Sequence, residues 1–359
     1  MAKYIGLMSG TSMDGIDISL VKTNGCNLIR LNKNYFHQYS TKTKEDMIKI
    51  LKEDITFNLK RKKLLDDFVT YEHYLALKDL DIVKACDLIG FHGQTIYHSA
   101  EESISVQLGN PKKLAEMLNK NVVFDFRSND IVSGGQGAPL APIYHKFIIE
   151  KLNLDLPSCI INIGGISNLT YWDGEELIGF DTGPGNSLMD DYSLHMFNKD
   201  FDQDGIFASK GIPIKEEVKK FLELDYFKRQ PPKSLDRMSF KYLYKKLLKK
   251  KYSIYDTMAT LSEFTSASIV ASLNILPKKV SNIIITGGGY KNLHLMQMLR
   301  NKLKLNFLDE KQLGIEFDYL EAELIAYLSA RSIYKLPFTF PLTTGVLKPL
   351  SGGKLYECS

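Results

Sequence analysis

Two stretches of this chain read alike, and that repetition limits the folds open to it more than any other feature. Residues Ile5-Gly6-Leu7-Met8-Ser9-Gly10-Thr11-Ser12-Met13-Asp14-Gly15-Ile16-Asp17-Ile18-Ser19-Leu20 form an apolar run that ends in Ser-Gly-Thr-Ser, turns through Asp-Gly and resumes as alternating apolar and polar residues. Cys159-Ile160-Ile161-Asn162-Ile163-Gly164-Gly165-Ile166-Ser167-Asn168-Leu169-Thr170-Tyr171-Trp172 is again strand, Gly/Ser turn, strand. Each reads as a hairpin. After each hairpin come a further strand and then helices alternating with strands. An order that occurs twice predicts a duplicated α/β domain with a cleft between the halves rather than one open sheet.

Periodicity fills in the elements. In the first half, 28–39 reads as a third strand, 60–80 as a helix, and 88–91 as a short buried strand ending in His92-Gly93-Gln94-Thr95. Asn110-Pro111 predicts a capped helix through Lys120, followed by an apolar strand over 122–126. The passage Ser133-Gly134-Gly135-Gln136-Gly137-Ala138-Pro139 reads as the crossing between domains or as a binding loop, which gives an expected division into 1–132 and 133–359, with the last segment packing back on the first. In the second half, 177–180 is a strand running into Asp181-Thr182-Gly183-Pro184-Gly185-Asn186, with a helix from Ser187. A long helix over 257–275 stops before Pro277, a buried strand over 282–286 delivers Gly287-Gly288-Gly289, and helices follow from Asn292 and over 321–334.

A length of 359 residues suits two domains, because single cores rarely grow beyond roughly 250–300 residues. The net charge of +4, from 46 basic and 42 acidic residues, argues against nucleic acid or an anionic membrane as partner. Lys245 to Lys251 is broken by Leu247 and Leu248 at helical spacing and reads as a solvated helix face. The cysteines, Cys26, Cys86, Cys159 and Cys358, form no Cys-x-x-Cys pair, so neither a zinc site nor a redox dithiol is indicated. The start carries no signal-peptide pattern and no apolar run approaches the ~20 residues that cross a bilayer, so a reducing cytoplasm is expected.

Four groups carry chemistry. The loop Gly10-Thr11-Ser12-Met13-Asp14-Gly15-Ile16-Asp17 is denser in hydroxyls, carboxylates and glycines than a hairpin turn requires. Its N–H and O–H groups suit phosphate, and Asp14 or Asp17 suits a divalent cation. In the second group, Asp181 is expected at the end of a buried strand. There Gly183 and Gly185 would admit an anion to backbone N–H groups beside a helix N-terminus, or else Asn186 simply caps that helix. Beside a transferring phosphate an aspartate is a general base or acts through Mg²⁺. The third group, Gly287-Gly288-Gly289, leaves room for a flat ligand such as a nucleoside, or forms a tight strand–helix turn. Polar residues make up the fourth: His92, Gln94 and Thr95 suit sugar hydroxyls, and Arg127 suits a carboxylate or an internal ion pair with Asp125 or Asp130. Glu321 opens a helix, where it serves substrate or the helix dipole.

Taken together, these motifs closely resemble the anhydro-N-acetylmuramic acid kinases. The matching motifs are the opening Gly6–Asp17 loop, His92-Gly93-Gln94-Thr95, Gly134-Gly135-Gln136-Gly137-Ala138-Pro139-Leu140, Asn162-Ile163-Gly164-Gly165-Ile166-Ser167-Asn168, Gly179-Phe180-Asp181-Thr182-Gly183-Pro184-Gly185-Asn186, Pro231-Pro232-Lys233-Ser234, the triple glycine, Glu321-Ala322 and Thr344-Gly345. The resemblance implies two duplicated actin-like (ribonuclease H-like) α/β domains around a central ATP cleft. It also implies an ATP- and Mg²⁺-dependent reaction on 1,6-anhydro-N-acetylmuramic acid in peptidoglycan recycling, and a homodimer. On this sequence it makes Gly10, Thr11, Ser12, Met13, Asp14, Gly15, Ile16, Asp17, Gly183, Gly287 and Gly288 the ATP residues and Asp181 the catalytic base. His92, Gln94, Arg127 and Glu321 become substrate-side residues; no metal ligand is assigned. The sequence departs from the family pattern in two places: Leu235-Asp236-Arg237-Met238 stands where Thr-Gly-Arg-Glu is usual, and Asn129 where a second Arg is common.

Overall fold

The computed structural model describes residues 1–10, 13–52, 59–235 and 239–358. They form a mixed α/β chain with two sheets and divide into two compact units. The first comprises Met1–Phe147, Asp318–Pro341 and Gly345–Ser359, the second Ile148–Phe317 and Leu342–Thr344.

In chain order the first unit supplies β1 (Ala2–Ser9), β2 (Gly15–Thr23), β3 (Leu28–Gln38), α1 (Thr41–Lys52), α2 (Leu59–Leu77), α3 (Asp81–Ala85), β4 (Leu88–Ser99), β5 (Ile104–Leu108), α4 (Pro111–Leu118), β6 (Asn121–Phe124) and α5 (Ser128–Val132), and it ends inside α6 (Pro142–Lys151). The second supplies β7 (Ser158–Ile163), β8 (Ile166–Trp172), β9 (Leu177–Pro184), α7 (Ser187–Phe197), α8 (Lys215–Leu222), α9 (Asp225–Lys228), α10 (Lys241–Leu248), α11 (Ile254–Asn274), β10 (Asn282–Thr286), α12 (Leu293–Leu303), β11 (Asn306–Leu308) and α13 (Glu310–Leu313). Then α14 (Leu320–Ile333), α15 (Pro341–Thr344) and β12 (Lys354–Tyr356) follow, of which α14 and β12 complete the first unit.

The two sheets have the same plan. In the first, β1, β2 and β3 form an antiparallel meander, and β4 and then β6 extend it in parallel on the far side of β1. In the second, β7, β8 and β9 are the meander, and β10 and then β11 are the parallel extension beyond β7. This meander-plus-parallel plan is the ribonuclease H-like unit of actin-like proteins, present twice, as the repeated hairpin predicts.

Local chemistry explains the elements. Asn110 accepts from the Lys113 N–H and caps α4, with Pro111 at the first helical position. Asn292 caps α12 through the Leu295 N–H, and Asp309 with Gln312 makes a capping box on α13. Each unit buries its own core. Ile5, Leu7, Ile18, Ile89 and Leu114 belong to the first, and Ile161, Phe180, Phe264, Ile283 and Leu299 to the second.

One pair of glycines decides how α14 sits. Gly6 of β1 and Gly90 of β4 are register partners. A Cβ on Gly6 would lie 1.8 Å from Ala322 O, and one on Gly90 would lie 2.2 Å from Ser329 Oγ. The helix therefore rests directly on the strand backbones. Its buried flank explains why α14 is apolar on most of its circumference.

Two strands run further than the sequence suggests. β4 continues to Ser99, so His92, Gln94 and Thr95 lie within a strand and not on a loop, and Gln94 and Thr95 are held by pairing with β5. β9 runs through Asp181 to Pro184 because β8 pairs with it as far as Ile166. The basic run is a helix only to Leu248. Lys250 beyond it pairs with buried Glu217 at 2.5 Å. Cys86 and Cys159 are buried. Among the described residues, no helix is long and apolar enough to cross a membrane.

Candidate active site

The β1–β2 connection is tied at its base. Ser9, the last residue of β1, is fully buried and faces Gln94 across the parallel β1–β4 pair. Its single hydroxyl proton goes to the shortest contact, 2.5 Å to Gln94 Oε1, while the Tyr39 hydroxyl donates to Ser9 Oγ at 2.8 Å. Gln94 Nε2 donates to Gly10 O at 2.8 Å, and the Met13 N–H donates to the same carbonyl at 3.2 Å. Gln94 thus holds both sides of the point where the chain leaves the strand. Met13 adopts a left-handed backbone (φ 55°), and the Tyr39 N–H donates to Asp14 O. Gly15 has no room for a side chain, since a Cβ would lie 2.3 Å from His37 O. Asp14 is exposed, Ile16 is buried, and Asp17 is half-buried opposite Met8. Thr11 and Ser12 lie outside the described residues.

Two residues before Gln94 on the same strand, His92 is paired with Arg127, which follows β6. Arg127 donates to His92 Nε2 from Nη2 at 3.1 Å and from Nε at 3.3 Å, and from Nη1 to Gly137 O at 2.6 Å. Of the carboxylates near it in sequence, Asp125 pairs with Lys354 at 2.6 Å, and Asp130 Oδ1 accepts from the Gly137 N–H. The 133–139 passage is therefore bound to α5 and Arg127 within the first unit. Burial, then the Arg127 charge, lowers His92 to about 3, so it is a neutral acceptor at physiological pH. Glu321 occupies the first turn of α14, one residue before the Ala322 that rests on Gly6.

In the second unit, β7, β9 and β10 run in parallel, so their carboxyl ends share one edge, where α/β folds place ligands. Asp181 is buried on β9 and held at three points. Its N–H donates to Lys233 O at 3.0 Å, its carbonyl accepts from the Tyr226 hydroxyl at 2.5 Å, and its Oδ2 accepts from the Leu235 N–H at 2.7 Å. Burial, then the Asp181 charge, pushes the Tyr226 hydroxyl far above its ordinary range, so it stays a donor.

The glycines around this edge make close backbone packing. The N–H groups of Gly185, Asn186 and Ser187 are not an open anion cradle: they donate to the carbonyls of Gly165, Gly164 and Gly165. Asn186 does not cap α7 with its side chain but donates to Ile163 O at 3.2 Å. The cause in both cases is the β7–β8 turn folding onto the end of β9. Gly183 faces Ser167 in the ladder, and a Cβ there would meet Ser268 Oγ at 2.6 Å. Gly287 has φ 76° and abuts Asn162, whereas a Cβ on Gly288 would find only Asn186 Nδ2, at 3.6 Å. The structure thus assembles the opening loop, His92, Gln94 and Arg127 in one unit, and Asp181, Gly183, Gly287 and Gly288 in the other.

The sequence profile of the anhydro-N-acetylmuramic acid kinase family matches residues 2–358. The chain belongs to this family. It is 37% identical to the anhydro-N-acetylmuramic acid kinase of Rhodopseudomonas palustris strain HaA2 over 99% of both chains. To the enzyme of the same name from strain BisB18 it is 38% identical over 98% of both. Among solved structures it resembles, at a TM-score of 0.43 and 13% identity, the activator of 2-hydroxyisocaproyl-CoA dehydratase from Clostridium difficile with bound ADPNP, over 93% of this chain and 97% of that one.

As a member of this kinase family, the chain is a phosphotransferase, and several residues around its site escape a reading of sequence alone. Ser9 and Tyr39 anchor the opening loop, yet neither stands out beside the glycines that follow. Both ring nitrogens of His98, further along β4, are buried without a hydrogen-bond partner among the described residues, and burial and then Arg127 lower it to about 4. Tyr226 and Lys233 surround Asp181 from a segment whose only signal is the Pro231-Pro232-Lys233-Ser234 motif. The departure at Leu235 leaves the Asp181 contact intact, because the donor is a backbone N–H that every residue but proline supplies. Residues 236–238 of that departure lie outside the described residues. Asn129 donates to Ser351 O at 2.6 Å.

Proposed function

We propose that the chain transfers the γ-phosphoryl group of ATP to O6 of 1,6-anhydro-N-acetylmuramic acid while water opens the anhydro bond, giving N-acetylmuramic acid 6-phosphate and ADP. Family membership over residues 2–358 supports the substrate class. The observation that carries the mechanism is Asp181, a buried carboxylate at the ligand edge of its sheet with Oδ2 fixed by the Leu235 N–H.

An anhydro sugar has no free hydroxyl at O6, so a base cannot activate that oxygen directly. The proton must instead come from the water that attacks C1. Asp181 takes it, and O6, released from C1, attacks the phosphorus. This joins half of an inverting glycoside hydrolysis to phosphoryl transfer. Arg127 binds the lactyl carboxylate, with His92 as the neutral acceptor that aims it. Gly10, Met13, Asp14, Gly15, Ile16 and Asp17, with Thr11 and Ser12, line the phosphates, and Gly183, Gly287 and Gly288 line the nucleoside. Gln94 supports the opening loop, and Glu321 faces the sugar.

Asp14, exposed, and Asp17, half-buried, are oxygen donors that suit Mg²⁺ brought in on the nucleotide. When bound, Mg²⁺ would neutralise phosphate charge. The reaction belongs to peptidoglycan recycling in the cytoplasm, and the homodimer is the proposed assembly.

The test is ADP release from the purified protein with Mg-ATP, with and without the anhydro sugar, beside Asp181→Asn. The expected result is sugar-dependent turnover that falls on the order of 1,000-fold or more in the variant. Absence of sugar stimulation in the native protein overturns the reaction. Equal turnover in the two proteins removes Asp181 as base.

A further inference from the structure

Lys233 is a buried cation, 5% exposed, that the reaction above does not use. Its ammonium donates to Arg229 O at 2.9 Å and to Tyr226 O at 3.3 Å. It lies 4.9 Å from the centre of the Tyr226 ring and 5.4 Å from that of Phe180, the residue before Asp181. Among the described residues, these carbonyls and aromatic faces are its partners. A buried cation without a carboxylate costs stability unless carbonyls and rings compensate it, so its presence asks for a reason.

The reason lies in what its segment touches. Three hydrogen bonds on Asp181 come from residues 226–235: with the Tyr226 hydroxyl, Lys233 O and the Leu235 N–H. The Lys233 side chain bonds the start of that segment to its end, because Tyr226 belongs to α9 and Arg229 follows it. Without that bond, two separate pieces of chain would hold the aspartate, each free to shift.

We propose that Lys233 is a positioning residue for Asp181: its ammonium closes the 226–235 segment into one clamp that fixes the carboxylate. This rests on the reading of Asp181 as the base. Burial, then the Arg229 charge, lowers Lys233 to about 8, so the ammonium persists at neutral pH.

The experiment compares Lys233→Met, Lys233→Arg, Asp181→Asn and the Asp181→Asn/Lys233→Met double variant, with kcat, both KM values and the thermal midpoint measured for each. Methionine keeps length and loses the cation. Expected is a fall in kcat of about 10- to 100-fold in Lys233→Met, with both KM values within about threefold of native and partial rescue in Lys233→Arg, which restores donors to the two carbonyls. In the Asp181→Asn background the same change should cost less than about twofold, because the group it positions is already disabled. Native kcat in Lys233→Met, with Asp181→Asn inactive, overturns this proposal alone. An equal loss in both backgrounds also overturns it, since Lys233 would then act independently of Asp181. Native turnover in Asp181→Asn overturns the underlying reading and this proposal with it. If Lys233→Met does not fold, Lys233→Gln takes its place, with the same outcomes.

Discussion

Arg127 directs its guanidinium at the Nε2 of His92, 3.1 Å from Nη2, while the Nδ1 of the same ring lies 3.0 Å from Gly93 O. The carbonyl can only accept, so the ring proton is on Nδ1 and Nε2 offers its lone pair to the arginine. The imidazole acts as a neutral strut and not as an acid.

That relationship gives the first prediction. His92→Phe removes the acceptor and leaves Arg127 held through Gly137 O. The KM for the anhydro sugar should rise about 10-fold or more while the KM for ATP stays within about twofold. Arg127→Lys, which loses the fork, should do the same. Equal effects on both KM values would show that the pair serves the fold rather than the sugar.

The histidines also set how stability responds to acid. His73 and His98 are lowered to about 4, and His92 and His145 to about 3, by burial in each case first. A histidine whose folded pKa lies below its unfolded value of about 6.5 takes up its proton first in the unfolded chain. The stabilisation is complete above pH 6.5 and is lost as pH falls from there toward 3–4. Each of the four adds up to about 1.4 kcal/mol of lost stability per pH unit within that window. Urea unfolding between pH 7 and pH 5, above the ordinary carboxylate range, should show a steadily falling midpoint. His145→Leu should flatten the slope, and a flat native profile would contradict the burial of these rings.

Gly6→Ala should be among the most damaging methyl additions in this chain. The new Cβ would meet backbone, Ala322 O at 1.8 Å, so no side-chain rotation relieves it. A loss of about 3 kcal/mol or more, or failure to fold, is expected in denaturant titration.

Gly288→Ala should behave in the opposite way. Its Cβ finds ordinary contact with Asn186 Nδ2, so stability should change by less than about 1 kcal/mol. If the nucleoside lies over this turn, the KM for ATP should still rise about 10-fold. An unchanged KM would move the nucleoside away from Gly288.

Much of this fold is legible in the sequence because its signals are local. Alternation marks β1, β2, β7 and β8, Asn110-Pro111 marks the start of α4, and Asn292 marks α12. The extension of β4 through His92 and Gln94 is hidden, because it depends on pairing with β5, across the 100–103 turn. The site divides in the same way. Glycines and Asp181 stand out in dense motifs, but two of the bonds that hold Asp181 come from the backbone of Lys233 and Leu235, and a backbone group leaves no mark on residue type. The N–H groups of Gly185 and Asn186 mislead for the converse reason: their partners, the Gly164 and Gly165 carbonyls, lie about twenty residues earlier.

The seat that Gly6 and Gly90 make for α14 has a consequence for synthesis. The strands beneath it are translated within the first hundred residues, but the helix that covers them spans Leu320–Ile333. The second unit lies between, almost whole within Ile148–Phe317. On the ribosome, the inserted unit can therefore gather its own sheet while the earlier one still waits, its glycine-lined face uncovered, for nearly the last tenth of the chain to emerge.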